Sequence, residues 1–204
     1  MRLFYAPGAC SLSPHIVARE LAIDLQLEKV DLPPRTTASG RDYLSINAKG
    51  YIPALELDSG EILTEGTTIV QYLADQRPEA MLIPPPNSMG RYRVQEMLAY
   101  INSEIHKNYN PLIYSGTSKI RRAEAAHDLQ RCYTFLERHL ASHEYLANDH
   151  YSVADVYLFT VTSWAAFARF SLSRFPGVLL FQERIAARPA VKQALREEGL
   201  TYEP

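Results

Sequence analysis

The sequence predicts a small mixed α/β unit followed by an all-helical one. Strand and helix signals alternate over residues 1–80, a breaker-rich run at Ile83-Pro84-Pro85-Pro86-Asn87 interrupts the chain, and no strand pattern recurs beyond it. Arg2–Tyr5 and Leu27–Leu32 read as strands around an amphipathic helix from about Ser13 to Ala22. A loop and short helix follow. Ala54–Leu57 and Glu61–Leu63 flank Asp58-Ser59-Gly60 as a hairpin. A helix carrying Ile69, Val70, Leu73 and Ala74 then runs until Pro78. In the second part, Val94, Met97, Leu98, Ile101, Ile105 and Leu112 keep helical spacing, as do Leu129, Cys132, Tyr133, Leu136 and Leu140. Ser152-Val153-Ala154-Asp155 resembles a capping box. It opens a stretch apolar all round, from Val156 through Trp164 to Phe167, the pattern of a central bundle helix. Arg188-Pro189 separates the last two helices. The boundaries expected are 1–80 and 87–204.

Bulk properties narrow the function classes. With 204 residues, 47% of them apolar, the chain can build a substantial core. A net charge of −2 gives no footprint for nucleic acid or an anionic membrane surface. No apolar run reaches the 18 or more residues of a spanning helix, and no export signal is visible at the amino terminus. The two cysteines, Cys10 and Cys132, are far apart, and the six histidines are scattered. That usage fits a reduced, cytoplasmic setting and argues against a metal site.

Three patches carry chemistry. The first is Cys10, in Gly8-Ala9-Cys10-Ser11-Leu12-Ser13-Pro14-His15, where a strand ends and a helix begins. Ser11 and Ser13 are N-cap residue types, and Pro14 suits a first turn. A thiol there faces unpaired amides and the positive end of the helix dipole. Both favour the thiolate, so a lowered pKa is expected. Serine follows at the fourth position of Cys10-Ser11-Leu12-Ser13, so mixed disulfides are expected rather than an internal one. The second patch is Asn47 to Leu55, containing Tyr51, Ile52 and Pro53. A cis Ile52–Pro53 bond would turn the Ile52 N–H and C=O outward as an edge for an extended peptide; a trans proline would simply open an edge strand.

The third patch is Leu63-Thr64-Glu65-Gly66-Thr67. Gly66 frees the backbone at a helix entrance, and the Gly66 and Thr67 amides would form an anion site. Glu65 beside them points to a zwitterion, its carboxylate on the amides and its ammonium on the glutamate. An amino-acid head, a peptide-like middle and a sulfur together describe glutathione, with Arg35 available for its other carboxylate.

On these motifs the chain resembles a glutathione S-transferase and is similar in particular to the bacterial beta class. Ile69-Val70-Gln71-Tyr72-Leu73-Ala74-Asp75, the Ser152 motif and Arg188-Pro189-Ala190-Val191 to Glu198-Gly199-Leu200 extend the match to almost the whole chain. The resemblance implies a thioredoxin-like amino-terminal domain that binds glutathione as co-substrate, and an all-helical carboxy-terminal domain forming the electrophile site. It also implies a cytoplasmic homodimer serving detoxification, a cis proline at Pro53, and a Cys10 able to hold glutathione as a mixed disulfide. Glutathione contacts carry over to Cys10, Ile52, Glu65 and Gly66, and to Arg35 where the family often has lysine; Tyr51 and Pro53, flanking Ile52, are expected to bind substrate with them. Ser103, His106, Lys107 and Asn110 form a polar stripe, of which His106 and Lys107 carry over to the electrophile cleft. Cys10, Ser11 and His106 are the expected catalytic residues. Lowering a thiol from about 9 to about 6.5 takes roughly 3.4 kcal/mol, the size of a few charge-assisted hydrogen bonds plus a helix end. The rival readings are a glutathione-dependent thiol–disulfide oxidoreductase and a non-catalytic binder of hydrophobic ligands on the same fold.

Overall fold

The computed structural model describes residues 1–202. Two compact units emerge, Met1–Ile83 together with residues 187–202, and Pro84–Ala186.

The first unit is built on a five-stranded mixed sheet in the order β3-β2-β1-β4-β5. Its strands are β1 (Arg2–Tyr5), β2 (Gln26–Asp31), β3 (Thr36–Thr37), β4 (Ala54–Glu56) and β5 (Ile62–Thr64). β1 runs parallel to β2 with Leu3 opposite Leu27, and antiparallel to β4 with Leu3 opposite Leu55. β4 and β5 form the expected hairpin, Leu55 facing Leu63. The two-residue β3, which the sequence does not announce, pairs with β2 through Val30 and Thr37. Helices α1 (Leu12–Glu20) and α2 (Gly66–Asp75) bury Ile16, Val17, Ile69, Val70 and Leu73 completely, as the sheet buries Leu3, Phe4 and Leu55. The Ile52–Pro53 bond is cis, and so are Leu32–Pro33 and Pro33–Pro34.

The expected boundaries put residues 187–204 with the helical part, helix α8 (Pro189–Glu197) among them. It packs instead on α1 in the first unit. The cause is ionic as well as apolar. Arg188 forks onto both carboxylate oxygens of Glu20 at 2.6 and 3.0 Å, and Glu197 takes Arg19 at 2.7 Å. Val191 and Ala194 are fully buried. Gly199, at φ +71°, then closes the helix: its amide bonds Arg196 O, and the Leu200 amide bonds Leu195 O, the paired bonds of a left-handed C-terminal cap.

The second unit holds α3 (Met89–Tyr100), a π-helical segment (Ile101–His106), α4 (Lys107–Ile113), α5 (Lys119–Leu140), α6 (Val153–Thr162) and α7 (Pro176–Ala186). The sequence periodicity treats 94–112 as one α-helix. Val94, Met97, Leu98, Ile101 and Ile105 are buried as expected, but past the π segment the buried positions are Asn108 and Tyr109 rather than Leu112. Helix α6 is buried along its whole length. It stops at Thr162, so Trp164 and Phe167 lie beyond it, and Phe167 is 76% exposed.

The capping box that starts α6 is complete. Asp155 Oδ2 accepts from the Ser152 amide at 2.8 Å and the Ser152 hydroxyl at 2.9 Å, while Oδ1 accepts from the Leu146 amide at 2.9 Å. Burial pushes the Asp155 carboxyl up to about 6 against these donors. Replacing one acceptor oxygen by an NH₂ sets donor against donor whichever way the amide turns. Asp155→Asn is therefore expected to cost about 1–3 kcal/mol, measured as a lower urea midpoint at pH 7.5.

Candidate active site

The loop from β1 into α1 is tied down before Cys10 is reached. The Ala9 amide bonds Ala6 O at 3.1 Å, and Gly8 takes φ +70°. Ser11 sits at the helix entrance with helical dihedrals and makes no cap. Its hydroxyl donates to Ala6 O at 3.1 Å and accepts from the Ala6 amide at 3.2 Å, fully buried. The sequence expects Ser11 to act on a thiol through its side chain, and here that side chain faces Ala6. Both halves of its hydroxyl are spent on closing the strand end, which leaves its backbone amide as the group it can offer.

Cys10 is half-buried, and its thiol donates to Ile52 O at 3.4 Å. Burial pushes the thiol up to about 12; the Cys10 and Ser11 amides pull it down, and the Glu65 charge adds to the rise. The expected low-pKa thiolate is thus corrected. The helix-end amides are where the sequence puts them, but desolvation and a neighbouring carboxylate outweigh them. The resting group is a neutral thiol engaged with the second patch.

That second patch is held from behind. Tyr51 O accepts the Tyr43 hydroxyl at 2.8 Å and the Asn47 side-chain amide at 2.7 Å. The Tyr51 side chain remains 72% exposed, one residue before the carbonyl that Cys10 uses. Arg35, itself at φ +70°, donates from Nε to Gly50 O at 3.1 Å, so its guanidinium lies at the start of the same segment. Gly50 sits at φ +68°, where a side chain would be strained, and a Cβ there would come within 2.9 Å of that Nε and push Arg35 aside.

Glu65 is the backbone outlier of the third patch. It takes φ +69° and ψ +113° immediately before α2, a conformation that favours glycine. The sequence reading gives that freedom to Gly66; the structure puts the strain on Glu65 instead. There the carboxylate meets Lys49 Nζ at 2.7 Å, and Lys49 also donates to Thr64 Oγ1 at 2.9 Å. The first intrahelical bonds of α2 come from Thr68 and Ile69 to Glu65 O, which puts the Gly66 and Thr67 amides ahead of the ladder. Cys10, Ile52 and Glu65 therefore belong to one neighbourhood, with Tyr51, Pro53, Gly50 and Arg35 continuing it along the chain. Lys49 is a residue that the sequence reading passed over. Its signal was a cation within the Asn47–Leu55 patch and one unexplained acid at residue 65.

The second unit carries the polar stripe. Ser103 and Lys107 are exposed, the Ser103 hydroxyl donating to Glu104 at 3.3 Å. His106 ends the π segment, its Nδ1 2.8 Å from the Tyr157 hydroxyl and its ring edge-on to Trp164 at 4.9 Å. Burial pulls the imidazole down to about 4. Tyr157 and Asn102 are the partners that sequence reasoning missed here. A tyrosine in an otherwise apolar helix signals a buried hydroxyl in need of a partner.

His15 is buried between Glu197 and Glu198, and Tyr5 packs near its ring. Cys132 is buried with its thiol pushed up by desolvation. Among the described residues no group of three or more His, Cys, Asp or Glu side chains could hold a metal, and no helix is long and apolar enough to cross a membrane.

The same chain carries two family signatures. The model for the glutathione S-transferase N-terminal domain matches residues 8–76, and that for the C-terminal domain matches 103–198. A glutathione S-transferase GstA of Escherichia coli O157:H7 is 40% identical, with 98% of this chain and 100% of the relative covered. A sphingomonad glutathione S-transferase complexed with glutathione superposes with a TM-score of 0.95 at 42% identity, covering 98% of this chain and 100% of the other. A beta-class glutathione S-transferase of Sphingomonas chungbukensis superposes at 0.96 with 41% identity and the same coverage of both chains. With its thioredoxin-like unit, its helical unit and these relatives, the chain belongs to the glutathione S-transferase family, in the bacterial beta class.

Proposed function

We propose that this glutathione transferase conjugates the glutathione thiolate to small hydrophobic electrophiles, with the tripeptide laid along Glu65, Ile52 and Cys10. The Glu65–Lys49 pair supports this most directly: the carboxylate already accepts an ammonium at 2.7 Å, beside two amides that precede the α2 ladder. The α-ammonium of glutathione takes the place of Lys49 on Glu65. Its α-carboxylate sits on the Gly66 and Thr67 amides, its backbone runs past Tyr51, Ile52 and Pro53, and its far carboxylate meets Arg35. The sulfur then lies near Cys10. A neutral Cys10 removes the repulsion that two adjacent thiolates would suffer. Its S–H is able to turn from Ile52 O to the glutathione sulfur, adding a donor to the Cys10 and Ser11 amides.

His106, Ser103 and Lys107 serve the electrophile from the helical unit. Cys10 also exchanges with oxidised glutathione: its sulfur attacks the disulfide, one glutathione leaves as the thiol, and a Cys10–glutathione mixed disulfide remains. With Cys10 protonated at rest, this exchange is the slower activity. The cellular setting we infer is a cytoplasmic homodimer in detoxification.

Wild type, Cys10→Ala and Glu65→Gln, assayed with aryl halides, epoxides and mixed disulfides, test the assignment. Glu65→Gln is expected to raise KM for glutathione about 10–100-fold, the loss of one charge-assisted contact, and to weaken retention on immobilised glutathione. Cys10→Ala should abolish disulfide reduction and keep aryl halide conjugation within about tenfold of wild type, because one donor among several is lost. Equal loss of both activities in Cys10→Ala would refute the division of labour. An unchanged glutathione KM in Glu65→Gln would remove the head-group site.

A further inference from the structure

His106, Tyr157 and Asn102 form a chain of hydrogen bonds within the helical unit. The Tyr157 hydroxyl donates to Asn102 Oδ1 at 2.9 Å and lies 2.8 Å from His106 Nδ1. A phenol has one proton to give, and a carbonyl oxygen has none. With that proton on the Asn102 bond, the phenol oxygen receives the hydrogen of the second contact, which must come from Nδ1. We propose that Tyr157, oriented by Asn102, is a positioning residue that holds His106 as the Nδ1–H tautomer and so presents Nε2 as a bare hydrogen-bond acceptor to the reacting substrates.

The surroundings make this arrangement rigid. Tyr157 is 1% exposed on the fully buried α6, so its ring has no freedom to turn away. Trp164 lies edge-on to the imidazole and a tilted Tyr157 ring lies 6.1 Å from it, which fixes the plane in which Nε2 projects. Asn102 and His106 both lie on the π-helical segment, a distortion that concentrates at functional sites. The burial that pulls His106 down to about 4 keeps the ring uncharged near neutral pH, so only one of its nitrogens carries hydrogen there. An imidazole locked this way accepts a hydrogen bond from a substrate donor and cannot donate one to a thiolate. Thiolate stabilisation then falls to the groups around Cys10.

The inference rests on His106 taking part in the transferase reaction, so the experiment separates the two. Nitrogen-15 spectra of histidine-labelled protein at pH 7.5 are expected to show His106 with Nδ1 protonated and Nε2 bare. In Tyr157→Phe the Nδ1–H bond has no acceptor, and the spectrum is expected to shift toward the Nε2–H form. In the same variant kcat for conjugation should fall about tenfold, one neutral hydrogen bond's worth, with KM for glutathione within about twofold. Asn102→Asp keeps the acceptor oxygen and is expected to retain both the tautomer and the rate, whereas Asn102→Ala moves both toward Tyr157→Phe. A wild-type Nε2–H signal, or a Tyr157→Phe protein with unchanged spectrum and kcat, overturns the tautomer lock. His106→Ala with wild-type kcat overturns the role of His106 itself, whatever its tautomer.

Discussion

His15→Leu is expected to destabilise the protein by about 3–5 kcal/mol, the cost of leaving a buried charge without its partner. The two His15 ring nitrogens lie 2.8 Å from Glu198 Oε1 and 2.7 Å from Glu197 Oε2, so one ring bonds both carboxyl groups at once. The two carboxylates differ in what remains once the ring is gone. Glu197 keeps Arg19 at 2.7 Å and Gln193 at 2.9 Å and is partly exposed. Glu198 has a fully buried side chain, and among the described residues its other hydrogen bond is from the Gly8 amide, at 2.9 Å to Oε2. The penalty therefore falls on Glu198. The double variant His15→Leu/Glu198→Leu should recover more than half of it, since the apolar pair removes the orphaned buried carboxyl along with the ring. Urea unfolding of the four proteins of this cycle measures the coupling; additive losses would show that the pair is not interacting.

The same cluster sets an acid limit. Desolvation raises the Glu197 carboxyl, but hydrogen bonds from Gln193, Arg19 and His15 outweigh it and hold the group down at about 2. A carboxyl lowered on folding contributes stability that is complete above its unfolded value of about 4.5 and is lost as pH falls from there toward 2. Since Glu198 also holds Gly8, two residues before Cys10, loosening α8 from α1 loosens the loop that places the thiol.

How much of this was legible in sequence depended on whether the signal was local. β1, the β4–β5 hairpin and the Ser152–Asp155 box are short-range patterns, and the structure forms them within a residue or two of where periodicity and cap chemistry put them. The position of α8 was not legible, because the contacts that settle it join residues about 170 apart, as in Arg188 to Glu20. The π segment was invisible for another reason: it shifts the helical phase without changing which residue types are used. Within the candidate site, residue identities were readable while protonation and dihedrals were not. Glu65 carries a backbone conformation expected of glycine, and Ser11 spends its hydroxyl on Ala6 rather than on a cap. A helix entrance can be read from spacing, whereas the burial that opposes it at Cys10, and the Glu65 charge that adds to it, cannot.

Cys10 should accordingly be a slow thiol in the free enzyme. With the group pushed up to about 12, the thiolate at pH 7.5 is on the order of 10⁻⁴ to 10⁻⁵ of the total, against about a tenth for an unperturbed cysteine near 8.5. A more basic thiolate is also the better nucleophile, and a Brønsted slope of about 0.4–0.5 returns roughly 40-fold of that deficit. Alkylation by iodoacetamide, followed at Cys10 by mass spectrometry, should therefore run about 100-fold slower than for a cysteine peptide. The rate should also keep climbing by close to tenfold per pH unit from pH 7 to 10 with no plateau, since the native titration lies above that range. A plateau below pH 8 would mean that the helix-end amides dominate after all, and the enzyme would then rest with Cys10 ionised. That outcome would hand the first step to disulfide exchange, because a thiolate at Cys10 repels a second one and leaves glutathione's own sulfur protonated. With Cys10 neutral, the single negative sulfur in the site is the one that has to attack.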